Sequence, residues 1–384
     1  MGKNKTLVII GNGFDLAHTL NTRYTDFLSY VEKNIEKIKS HEDLKKDAKN
    51  IFKIANLGND YIMAKENNEE NNEFEDYDYK DLKFEEIDDI IHNEKNMKSL
   101  SRKIFMYIYD HENYWLNYFK DVVISYDWVD FEEELQNIVK ILEKFILGNK
   151  LDEYESKKMR NIVRKDFYDY DYIIKALVPK LLLDLKLLIY LLEYYLIIES
   201  KKVMMNENID KLVRNVDGVI TYNYTQVFEK LYNTNNLKIY HIHGELKRHN
   251  LVLGVGETLD DNNINKCVIC SGFKKYFQKV YFGLGDNYKS LLGYKDNDPC
   301  RNEIDRYRNR MSEKWNVIIY GHSLAVSDKD SLEWVITHPL VEKITIYYYD
   351  YKSLNQLIAN ASLILGKDCL LQMVEQKKIY FAKC

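Results

Sequence analysis

The sequence predicts an α/β protein, a parallel sheet covered by helices and interrupted by a long helical excursion. Three observations predict it. A short apolar run, Leu7 to Ile10, opens directly into Gly11-Asn12-Gly13. Short apolar runs alternating with helical patterns return after Val216, and between the two regions lies a stretch of almost unbroken helical periodicity.

The elements follow in order. Leu7 to Ile10 is short and rich in β-branched residues, as a buried strand should be. Phe27, Leu28, Val31 and Ile35 repeat at helical spacing after it. His41 to Ala64 reads as further helix. Residues 66–96 are dense in Asn, Asp and Glu, and such a segment buries little apolar surface, so a mobile acidic insertion is expected there. From Leu100 to Ser200 the apolar stripes are helical: Ile104, Tyr107, Ile108 and Trp115, then Leu135, Ile138, Leu142 and Ile146. The run 181–198 is apolar nearly all round and belongs between other helices or at a dimer seam. Beyond Val216, strands are expected at 218–222, 237–242, 251–255, 315–320 and 343–349, with a helix at 327–337 and, at 273–282, a helix or a helix leading to a strand. Ser327-x-x-Asp330 is placed to start the last helix as a capping-box-like pair. Two divisions result: residues 1–40 with 215–384 form the sheet domain, and 41–214 form an α-helical insertion.

Composition narrows the function. The chain has 384 residues with 55 basic and 60 acidic side chains, so neither a polyanion nor an acidic substrate is favoured. Five cysteines are too few and too irregular for a disulfide framework, and Cys267-x-x-Cys270 has no second pair to complete a zinc site. No metal is expected. The most apolar run, Val178 to Ile198, carries Lys180, Asp184, Lys186 and Glu193, which would be costly in lipid. A cytoplasmic protein without a membrane span is expected.

Three segments end strands, where open α/β sheets bind ligands. They are Thr221-Tyr222-Asn223-Tyr224-Thr225, His241-Ile242-His243-Gly244 and Gly321-His322-Ser323-Leu324. Each has a plain structural reading as a turn. The N-terminal turn is not the dinucleotide fingerprint G-x-G-x-x-G, because position 16 is Leu.

Together and in this order, GNGFDLAHTLNTRYTDF, TYNYT, HIHG and GHSL resemble the AbiH family of bacterial abortive-infection proteins. More distantly they are similar to sirtuins and sirtuin-like NAD hydrolases, over about the first thirty residues and the region after Gly218. The resemblance implies a Rossmann-like, sirtuin-like sheet domain that binds NAD or a related nucleotide. It sets Asn223 as the pocket asparagine and His243 as the catalytic histidine, with Asp15 near the reacting ribose. Gly11, Asn12 and Gly13 would lie against the phosphates, Phe14 beside the ribose and Thr221 at the pocket. Gly321, His322 and Ser323 would flank the adenosine; Asp328 would either contact a ribose or only start its helix. Thr225 stands where sirtuins carry an acidic residue, Asp15 stands near a usual Ser, and the four zinc cysteines are missing, which argues against deacylation.

The implied reaction is hydrolysis of the nicotinamide–ribose bond of NAD. Nicotinamide leaves as a neutral molecule, so the site must hold the ribose, stabilise an oxocarbenium-like state and activate water. An asparagine amide can orient water and a hydroxyl together, and a histidine can accept the proton. A nucleotide sensor for ADP-ribose or NAD is the alternative. A metal-dependent nuclease using the carboxylates of Asp127 to Glu134 is the weaker one, because those groups crowd one helix start. A homo-oligomer and a phage-derived trigger or accessory defence protein are the expected partners.

Overall fold

The structure, a computed structural model, describes residues 4–40, 97–125, 131–163, 170–232, 237–259, 261–293 and 314–384. The expected helix at 41–64, the acidic segment at 66–96 and the start of the Asp127 to Glu134 stretch lie outside them. The chain forms two compact units. One comprises residues 1–23, 196–257 and 274–384; the other comprises 24–195 and 258–273.

The first unit is built on six parallel strands. They are β1 (Lys5–Ile10), β2 (Gly218–Thr221), β3 (Ile239–His241), β4 (Trp315–Tyr320), β5 (Val341–Tyr348) and β6 (Ile379–Lys383), in the order β3-β2-β1-β4-β5-β6. This is the doubly wound α/β arrangement, with its direction of winding reversing between β1 and β4. Alternation along the strands accounts for both layers of core. Leu7, Ile9, Ile220, Val317, Ile319, Ile344 and Ile346 join one apolar cluster. Val8, Ile10 and Val219 join another with Phe14, Val213 and Phe228. A strand buried on both faces reads as a continuous apolar run, which is why LVII was legible.

Two sequence expectations need correction here. Leu251 to Val255 is not a strand; it is a buried loop that touches Lys274 through one isolated bridge at Val255. Ser327 and Asp330 do not form a capping box. The helix Lys329–Thr337 is entered through a 3₁₀ turn, Val326–Asp328, and Asp328 gives it no side-chain cap because its carboxylate is engaged elsewhere. A capping box does form at Asp350 and Ser353, which start the helix Tyr351–Leu365.

The second unit is helical: Tyr24–Ser40, Met97–His111, Tyr114–Ser125, Phe131–Ile146 and Glu153–Val163 precede the start of Val178–Glu199. The stripe Leu135, Ile138, Leu142 and Ile146 is buried as its spacing requires. Trp115 donates its indole N–H to the Leu181 carbonyl at 2.7 Å, tying two of these helices together. Asp184 is wholly buried on the long helix, held by Lys180 at 2.6 Å and by the Tyr114 N–H at 2.8 Å. Among the described residues no single helix is long and apolar enough to cross a membrane.

Candidate functional site

The carboxyl ends of β1 and β4 meet at the reversal point, and glycines let them meet. Gly13 donates its N–H to the Gly321 carbonyl at 2.8 Å, and Gly11 donates to the Tyr320 carbonyl at 3.2 Å. A Cβ on Gly13 would lie 2.6 Å from the Gly321 Cα. Gly321 has φ +67°, and a Cβ there would come within 2.3 Å of the Phe14 nitrogen. These glycines therefore interlock two loops, and two of the N–H groups expected to face phosphate are used within the protein.

Beneath this turn lies a buried carboxylate. Asp15, 2% exposed, sits in the first turn of the helix Asn12–Ala17. It accepts from Asn223 Nδ2 at 2.8 Å and from the Thr225 hydroxyl at 2.6 Å. Asn223 Nδ2 also donates to the Gly11 carbonyl at 3.0 Å, so one amide binds the β1 turn to the end of β2. Burial pushes the Asp15 carboxyl up to about 7 despite the Thr225 and Asn223 hydrogen bonds, which favour its charge. Thr225, itself without an acid, thus delivers a hydroxyl to the acid on the β1 turn.

Asn223 is braced from behind by His241. That ring places Nδ1 3.1 Å from the Asn223 carbonyl and Nε2 2.6 Å from Glu229 Oε1. Both nitrogens face acceptors, an arrangement suited to the doubly protonated ring. Burial opposes that charge, but the Glu229 carboxylate outweighs it and the His241 pKa is raised.

A second cluster centres on Asp328. Its Oδ1 lies 2.8 Å from Lys275 Nζ and 3.0 Å from His243 Nε2, and its Oδ2 lies 3.5 Å from His322 Nε2. Lys275 also reaches the Ser327 hydroxyl at 3.1 Å. All four ionisable side chains are less than a tenth exposed. His322 Nδ1 accepts the Leu324 N–H at 2.9 Å, which leaves its proton on Nε2, toward Asp328. Burial alone would raise the Asp328 pKa, but Lys275, His243 and the histidine hydrogen bonds hold it well below the usual carboxylate range. Tyr222 lies edge-on to both histidines, with ring centroids 5.4 Å from His243 and 4.2 Å from His322. His243 is set by the turn after it: Gly244 has φ +81°, and Val252 donates its N–H to the His243 carbonyl at 2.8 Å.

Other residues lie around these clusters. Thr221 Oγ1 accepts from the Asn223 N–H at 3.1 Å, shaping the turn. Asn12 is exposed and accepts from the Thr22 hydroxyl at 2.6 Å. Ser323 is exposed, with its carbonyl held by Asn360. Phe14 departs from expectation: it is wholly buried against Phe228, Tyr232 and His18, so it underpins the turn from the core. His18 donates Nδ1–H to the Phe14 carbonyl at 2.6 Å and accepts from Tyr232, a packing role. Asp350 is the helix cap already described. Lys275 was missed from sequence, because nothing in FKKYF marks its lysines as buried, and Lys274 is buried as well.

The fold and these clusters define a doubly wound α/β protein with a polar, partly ionised site at the carboxyl edge of its sheet. A family model described as "Bacteriophage abortive infection AbiH" matches residues 7–350, and the chain belongs to that family, whose function is phage abortive infection. No curated protein and no solved structure matches the chain.

Proposed function

We propose that this chain is an abortive-infection effector that hydrolyses the nicotinamide–ribose bond of NAD at the carboxyl edge of its sheet. The observation that carries the reading is the His243–Asp328 contact at 3.0 Å, a carboxylate-supported histidine at the sheet edge where doubly wound folds take nucleotides. Asp328 directs the Nε2 proton of His243 and supports the imidazolium formed when the ring accepts a proton from water.

Asn223 and Asp15 supply the other half. Asn223 gives Nδ2 to the Gly11 carbonyl and to Asp15, which leaves its Oδ1 to hold a ribose hydroxyl or the attacking water. Asp15, its carboxyl pushed up to about 7, provides negative charge for the cationic ribose once its proton has left, without being strongly solvated. The burial of these side chains strengthens each of these interactions.

The test is an NMR time course of the purified chain with NAD, with and without lysate from phage-infected cells. Nicotinamide and ADP-ribose should accumulate with the wild type. Folded Asn223→Ala and His243→Ala should be slower by roughly 100-fold or more. Undiminished turnover in folded His243→Ala would remove the histidine from the mechanism. Nucleotide-induced shifts without turnover in any sample would favour a sensor.

A further inference from the structure

We infer that Lys275 is a positioning residue that keeps His243 neutral, with its Nε2 proton directed at Asp328. Its use in catalysis rests on the hydrolase reading above, but the electrostatic claim stands on the geometry alone.

Two histidines and one lysine converge on a single buried carboxylate. If all three bases were protonated, the cluster would carry three positive charges against one negative, in a site where charge is poorly screened. The Lys275 ammonium has the shortest contact with Asp328, 2.8 Å to Oδ1, and it lies 3.4 Å from His243 Nε2. It therefore supplies the counter-charge to Asp328, and a second cation at His243 would be repelled at close range. Ser327 fixes the ammonium from another side at 3.1 Å.

The other groups near this balance act more weakly. His322 approaches Asp328 Oδ2 at 3.5 Å and is held in its Nε2–H form by Leu324. Tyr222 and Tyr224 present rings to His243, with centroids 5.4 Å and 6.4 Å away. Lys279 is a further cation that faces Lys275, with Asp328, Asp286 and Asp330 beside it. Lys275 is thus the cation placed to decide whether the base at position 243 is available at neutral pH. Its own side chain does not reach for substrate in this role; it acts through the histidine.

The experiment is ¹⁵N-imidazole NMR of the full chain across pH, with His243→Asn used to assign the signal. In the wild type at neutral pH, His243 should show the neutral pattern with Nε2 protonated. In Lys275→Gln its titration midpoint should rise by roughly one pH unit or more, and Lys275→Arg should restore it. A cationic ring or the Nδ1–H form in the wild type would overturn the proposal, whether or not Lys275→Gln folds. An unchanged midpoint in folded Lys275→Gln, or uptake of the proton by His322 instead, would also overturn it. Nicotinamide release is followed in the same samples. If no variant or wild type turns over NAD, the hydrolase reading fails while the imidazole spectra still decide the role of Lys275.

Discussion

Asn223 donates to Asp15 at 2.8 Å across 208 positions of sequence, and it also donates to the Gly11 carbonyl. Truncating it to Ala orphans a buried carboxylate oxygen and takes one of two donors from the Gly11 carbonyl, which keeps the Phe14 N–H at 2.8 Å. Asn223→Ala should therefore lose roughly 1–3 kcal/mol of stability in urea unfolding at neutral pH. A loss near zero would mean that water or a neighbour replaces the amide.

Asp15 should make the fold less stable as pH rises. Its carboxyl titrates near 7 in the fold and near 3.8 in an unfolded chain, so between those values the native state holds a proton that the unfolded state has released. Stability attributable to this group is complete below about pH 4 and falls until about pH 7. Asp15→Asn has no proton to lose, and its amide can still accept from Asn223 and donate to the Thr225 hydroxyl. Chemical unfolding across this range should show a shallower slope for the variant, with its advantage largest at neutral pH.

Asp328 should act with the opposite sign. Its folded pKa is depressed, so its contribution is present above about pH 4 and is lost as acid protonates it. Asp328→Asn should flatten the acid limb of the stability curve. At neutral pH it should also cost roughly 3–5 kcal/mol, because Lys275 is left as a buried cation without its carboxylate. Acid titration of the two aspartate variants side by side would separate these limbs.

Two glycines distinguish backbone strain from close approach. Gly148 has φ +77° and nothing lies within 4 Å of where a Cβ would stand, whereas Gly321 has φ +67° and its Cβ would meet the Phe14 nitrogen at 2.3 Å. Gly148→Ala should cost about 1 kcal/mol, the strain alone. Gly321→Ala should cost several times more and lower the melting temperature accordingly, because the β1 and β4 loops must part.

The sheet was legible where burial leaves a continuous apolar run, as in Leu7 to Ile10, or an alternating one, as in Trp315 to Tyr320. Leu251 to Val255 carries the same signal because it too is buried, but its backbone partners are a turn and an isolated bridge. β6 was missed because Ile379 to Lys383 ends in small and charged residues at the sheet's edge. Asn223 and His243 could be singled out as polar residues just beyond strands, and Asp15 as the acid that follows the glycine turn. Lys275 could not, since its neighbour Lys274 has the same chemistry and the contacts that distinguish them come from distant segments.

The placement of β1 has a consequence for how the protein is made. Ile10 aligns with Thr221 on one side and Tyr320 on the other, so the strand synthesised first is not enclosed until β4 has been made. At roughly 5–20 residues per second, a ribosome takes on the order of ten seconds or more to travel from one to the next partner. Until Asp328 has emerged, His243 and Lys275 lack the carboxylate that they share. A prematurely terminated chain therefore carries the lettering of the site without its charge balance, and translation itself fixes the earliest moment at which the chemistry can begin.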